Sequence, residues 1–206
     1  MTSYNPLNQD NLAASVGAAL LGSNCVPLPP EPTFPGAGIY ALYYHGNFEP
    51  YARLSVPRCG GTPIYIGKAM PGGGRKGGTP AIANRLYLRL RRHARNIAAT
   101  NLRVADFTCR YLIVDPMWIV MGEQVAINRF HPLWNSGPID GFGSNPQGKG
   151  RNAGRRSTWD ILHPGRKNTD ILRADKTFAQ VAADVQGYLE GRIAPRTPTL
   201  DEDEDE

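Results

Sequence analysis

The chain has 206 residues, 41% of them hydrophobic, which is enough for one domain with a real core and excludes global disorder. Its net charge of +5 hides an asymmetry: Asp201 to Glu206 are all acidic, and without them 23 basic residues face 12 acidic ones, a body at +11. Such a body fits a polyanionic partner, nucleic acid foremost, or else an ordinary charged surface; no apolar run is long enough for a membrane span, and no basic-then-apolar leader opens the chain, so the expected compartment is the cytoplasm.

In chain order, residues 10–22 carry the Asp/Asn start and Gly stop of a short helix. Five prolines between Val26 and Pro35 demand an extended segment, expected to tie that helix to the body as an arm. Gly38 to Tyr44 (GIYALYY) and Thr62 to Lys68 (TPIYIGK) read as strands, as does the alternating run Phe107 to Asp115. Between the second and third strands lie a glycine-rich loop, residues 71–78, and a helix over 81–98. Asp115-Pro116 opens a further helix that ends near His131-Pro132. The region 137–167 is glycine-rich and basic. Phe178, Val181, Ala182, Val185 and Leu189 then recur at helical spacing, marking a helix that covers the core or forms a subunit contact. The expected fold class is α/β (α+β): a small, mainly antiparallel three-stranded sheet flanked by helices. The expected division is an arm over 1–36, a core over 37–136, a basic segment with its helix over 137–196, and a disordered acidic tail over 197–206. Cys25, Cys59 and Cys109 lack metal-ligand spacing and are expected to be reduced thiols.

Two helices carry polar residues on apolar faces. In the helix over 81–98, Ile82, Leu86, Leu90, Ala94 and Ile97 define the apolar arc. His93 falls inside that arc, with Arg89 one turn earlier at its edge. A histidine there is a satisfied core residue or a chemical one. The arginine beside it needs an anionic partner, a structural carboxylate or a substrate phosphate. In the helix after Asp115, Glu123 is flanked by Ile119, Ala126, Ile127 and Phe130. A carboxylate on such a face must be paired, protonated or metal-bound. A salt bridge to Arg89 and a Mg²⁺ ligand are both compatible with that position.

The ordered set Gly38-Ile39-Tyr40, Tyr65-Ile66-Gly67, Arg89, His93, Glu123 and Asn135 resembles the GIY-YIG nuclease superfamily. The histidine one turn after the arginine, and the continuation Leu133-Trp134-Asn135, resemble its type II restriction endonuclease branch. The resemblance spans roughly residues 37–136. It implies Mg²⁺-dependent hydrolysis of double-stranded DNA, with one ion per active site held by Glu123. Arg89 is then expected on the scissile phosphate. Tyr40 is expected as general base or water-positioning group, with His93 taking its proton, because a free phenol near pKa 10 is too weak an acid for base work at neutrality. Tyr65 is expected to orient water or phosphate, and Asn135 to hydrogen-bond substrate or active-site groups. DNA contacts are expected from Arg75 and Lys76 in the glycine-rich loop and from Lys149, Arg151, Arg155 and Arg156 in the basic stretch that runs on through Arg166 and Lys167, the alternative being a solvated basic surface. The branch includes enzymes that cut the palindrome CCGCGG, which implies a symmetric homodimer and no organic cofactor. A GIY-YIG nuclease of repair, recombination or mobile elements, and a non-catalytic DNA-binding protein, are the competing readings.

Overall fold

The computed structural model describes residues 9–72, 84–143 and 154–196. The centre is β2 (Gly38–Tyr44), a seven-residue strand buried at every position. A continuous apolar run of this length suits a strand covered on both faces. It pairs antiparallel with β3 (Tyr65–Ala69) on one side and β4 (Phe107–Ile113) on the other. The sheet has four strands rather than the expected three, because β1 (Val26–Pro27), from the proline-rich arm, pairs with β4 opposite Thr108 and Cys109. The order β1-β4-β2-β3 leaves β3 at an edge.

Alternation along β2 divides the core in two. Ile39, Ala41 and Tyr43 face α1 (Gln9–Gly22) and α3 (Pro116–Phe130), forming one apolar cluster with Leu20, Ile66, Ile119, Ala126 and Ile127. Tyr40, Leu42 and Tyr44 face the other way, onto α2 (Arg85–Ala98) through Leu86, Leu90, Ala94 and Ile97. The second cluster also takes in Trp159 and Leu162 of α5 (Thr158–Leu162) and Val181 and Val185 of α6 (Phe178–Leu189). The apolar stripe of α6 therefore packs on the core, and its start is secured by a capping box between Thr177 and Gln180.

The local signals hold where caps are present. Asp115 accepts from the Met117 amide with Pro116 in the first turn, and His131 ends α3 in a left-handed conformation at φ 43°. The short helix α4 (Leu133–Ser136) lies along the open edge of β3, with the Trp134 amide donating to the Ile64 carbonyl at 3.0 Å.

The cysteine expectation is corrected for two of the three residues. Cys25 and Cys59 form a disulfide with Cα atoms 5.9 Å apart. The pairing of β1 with β4 brings Cys25, the residue before Val26, to β4, where the Thr108 hydroxyl opposite Pro27 contacts the Cys59 sulfur. No spacing rule announces a pair made by strand order. Cys109 is a free, buried thiol, and burial pushes it up to about 12. Among the described residues no helix is long and apolar enough to cross a membrane.

Candidate active site

The site begins with a register. Tyr40 in the middle of β2 lies opposite Gly67 of β3. A Cβ at position 67 would sit 2.5 Å from the Tyr40 hydroxyl and 2.9 Å from the Tyr65 ring. The glycine that ends the second tripeptide thus makes room for the tyrosine that ends the first.

Beneath that opening, α2 supplies its inward polar pair. The Tyr40 hydroxyl and His93 Nε2 are 2.5 Å apart, and both side chains are fully buried. Arg89, one turn earlier, hydrogen-bonds Tyr40 as well. A guanidinium only donates, so its bond occupies a lone pair of the phenol, and the tautomer of His93 sets whether Nε2 accepts the phenolic proton or donates to the phenol oxygen. The Tyr65 ring closes the group at 6.1 Å from Tyr40 and 5.5 Å from His93, centroid to centroid.

Burial sets the charge states. Loss of water raises Tyr40 well above its usual value, and the neighbouring Tyr65 adds to this while Arg89 opposes it. Burial likewise holds His93 far below the normal imidazole range, assisted by the positive fields of Arg89 and Arg166. At neutral pH the site therefore holds a neutral phenol bonded to a neutral imidazole.

Glu123 arrives from the other side of the sheet. It lies on the inward face of α3, 9% exposed, and its Oε2 accepts from Lys68 Nζ at 2.8 Å. Lys68 alternates with Gly67 along β3, so it points toward α3 while Tyr65 and Gly67 point toward α2. The edge strand is the seam between the two groups, and the Glu123 carboxylate field reaches Tyr40 across it.

Asn135 serves the strand itself. Its Oδ1 accepts from the Ile66 amide at 2.8 Å and its Nδ2 donates to the Ile66 carbonyl at 2.9 Å. The side-chain amide stands in for a neighbouring strand at the open edge.

Two residues in contact with this group were not among the candidates. Lys68 had a signal: a lone cation inside a buried strand, of the parity that faces Glu123. Phe142 had none. It stacks on His93 with centroids 4.7 Å apart and planes 19° apart, from a glycine-rich stretch without periodicity.

The expected DNA contacts are less concentrated. Arg75, Lys76, Lys149 and Arg151 lie outside the described residues. Arg155 is exposed and pairs with Asp175, while Arg156 donates to the Thr169 carbonyl at 2.7 Å. Arg166, counted in the basic stretch, is corrected to a core residue. It is buried, bonds both Asp160 oxygens at 2.6 and 2.8 Å, and lies 4.6 Å over the Trp159 ring. Charge density along the chain does not distinguish a buried ion pair from a surface cation.

The donor set suits a hard divalent ion of the Mg²⁺ type. No group of three or more His, Cys, Asp or Glu residues forms a metal cage among the described residues. Glu123 offers one recessed carboxylate, held by Lys68 at 2.8 Å, and a Mg²⁺-type ion takes one or two carboxylates while keeping several waters.

The sequence profile of the Eco29kI GIY-YIG domain matches residues 32–189. No curated protein sequence matches the chain. The matched span covers all four residues that meet around Tyr40, the edge strand with its asparagine, and the C-terminal helices that share their core. The chain belongs to the Eco29kI GIY-YIG domain family and is a nuclease of the GIY-YIG restriction type.

Proposed function

We propose that the protein is a Mg²⁺-dependent type II restriction endonuclease that hydrolyses double-stranded DNA at a palindromic site, acting as a homodimer with one active site per strand. The observation that carries the reading is the buried Tyr40–His93 hydrogen bond with Arg89 on the same phenol.

In this reading Tyr40 accepts a proton from the attacking water as its own proton passes to His93 Nε2. The preformed 2.5 Å bond makes that second transfer short. Arg89, already bonded to Tyr40, binds the scissile phosphate and strengthens its contact as charge grows on the phosphoryl oxygens. Tyr65 orients the water or the phosphate. Glu123 holds the ion, which when bound supplies positive charge to the phosphate and the leaving 3′ oxygen. Lys68 neutralises the Glu123 carboxylate in the metal-free protein. Asn135 keeps β3, and with it Tyr65 and Gly67, in register. Arg75, Lys76, Lys149, Arg151, Arg155 and Arg156 contact DNA, and the target is CCGCGG.

Glu123→Gln keeps the shape and removes the charge. It is expected to abolish plasmid cleavage in Mg²⁺ while DNA binding in Ca²⁺ persists, read by gel shift on the same preparation. Full cleavage by this variant removes the metal assignment. Sequencing the ends of wild-type fragments tests the site: discrete ends within CCGCGG support it, and cutting only of branched DNA overturns the restriction role.

A further inference from the structure

A catalytic histidine is ordinarily aligned by a hydrogen bond to the ring nitrogen that does no chemistry. His93 lacks this. Its Nε2 faces Tyr40, and its Nδ1 is buried with no hydrogen-bond partner among the described residues. One hydrogen bond fixes a point on the ring and leaves its plane free to turn, so packing has to set the plane.

Phe142 does this. It lies nearly parallel to the imidazole at 4.7 Å and meets the Tyr65 ring edge-on at 4.9 Å. Its other neighbours are Trp134 at 4.3 Å and Trp159 at 5.3 Å, which leave it no room to move. The residues before it are tied down by the C-terminal part of the chain. The Asp140 amide and carboxylate bond Thr158, its carbonyl accepts from the Trp159 amide, and the Gly141 carbonyl accepts from Arg166. The buried Arg166–Asp160 pair therefore anchors the loop that carries Phe142. Gly143 comes next, and a Cβ there would lie 2.7 Å from the Tyr65 hydroxyl and 3.7 Å from an Arg89 guanidinium nitrogen. Any side chain would enter the space between the two groups assigned to water and phosphate.

We propose that residues 139–143 form a positioning clip, in which Phe142 sets the plane of the His93 ring against Tyr40 and Gly143 keeps open the approach of the scissile phosphate to Tyr65 and Arg89. Phe142 is a positioning residue, acting through His93, and the inference rests on the reading of Tyr40 and His93 as the proton pair.

The test compares the full-length wild type with Phe142→Leu, Phe142→Met, His93→Gln and, as a core control away from the site, Val185→Ala. Three quantities are read: the single-turnover rate of plasmid cleavage in Mg²⁺, DNA affinity in Ca²⁺, and the downfield NMR resonance of the proton shared by Tyr40 and His93. Both Phe142 variants are expected to cleave slower, by up to roughly 100-fold, with unchanged affinity and a broadened or lost proton signal. Val185→Ala is expected to lower the melting temperature and leave rate and signal intact. Methionine keeps the bulk of the site, so it decides the matter should leucine not fold. Wild-type rate and signal in a folded Phe142 variant overturn the clip. Wild-type cleavage by His93→Gln instead overturns the proton-pair reading, while an inactive His93→Gln beside a fully active Phe142→Met sinks the clip alone.

Discussion

The space between β2 and β3 shows how closely single residues are specified. The Tyr40 hydroxyl passes over Gly67 with no room for even a methyl group. In Gly67→Ala the phenol must leave its line to His93 Nε2, because the strand pairing at this position holds the backbone in place. Single-turnover cleavage is expected to fall about 100-fold while DNA affinity in Ca²⁺ is unchanged; a wild-type rate would mean that the tyrosine position is immaterial. The helix projection was sufficient to read Arg89 and His93 as an inward pair, since four residues make about one turn. It was not sufficient for Lys68. Its parity along β3 was visible, but the carboxylate it meets lies 55 residues away on α3.

At the scale of elements, the edge strand is the exposed part of the design. An unpaired strand edge is prone to fray or to pair with another chain, and here α4 occupies it through Trp134 and Asn135. Asn135→Ala removes both bonds to Ile66. It is expected to destabilise the fold by about 1–2 kcal/mol in urea unfolding, to speed hydrogen exchange at the Ile66 amide, and to slow cleavage. Unchanged exchange at Ile66 would refute the strand-locking role. The asparagine itself was legible from the motif order, but its partner was not: a motif names a residue without saying whether the side chain turns to substrate or to backbone. The arm over residues 26–35 was likewise legible as extended, though its two-residue strand was not, because prolines argue against helix without choosing a neighbour.

For the whole molecule, the aromatic core carries a pH liability. Buried Tyr51, Trp134 and His163 are linked by hydrogen bonds that run on to the exposed Asn101, with the Tyr51 hydroxyl 2.6 Å from His163 Nε2 and Asn101 2.8 Å from Nδ1. Burial brings His163 down to about 3 and raises Tyr51. His93 is lowered by the same cause. An unfolded histidine binds a proton near pH 6.5, so below that value the unfolded state takes up protons that the folded state refuses. The stability is therefore present in full above about pH 6.5 and is lost progressively as the pH falls toward 3. Urea unfolding at a series of pH values is expected to show a slope approaching about 1.4 kcal/mol per pH unit for each buried histidine, and His163→Gln to remove one share. A flat profile down to about pH 4 would show that the histidines are protonated in the folded protein.

What the sequence determined by itself is what local physics encodes. Period-2 and period-3.6 patterns, caps and prolines marked the main strands and helices and put Arg89, His93 and Glu123 on or beside apolar helix faces, while Tyr40 and Tyr65 came only from the motif order and the resemblance it carries. Tertiary structure alone decided which of these meet. The strand order put β3 at the edge, where Glu123 approaches from one face and the Tyr40–His93 pair from the other. It also brought Cys25 to Cys59, buried Arg166 against Asp160, and laid Phe142 on His93. Those contacts join residues far apart in the chain through loops without periodicity, so no local pattern could carry them.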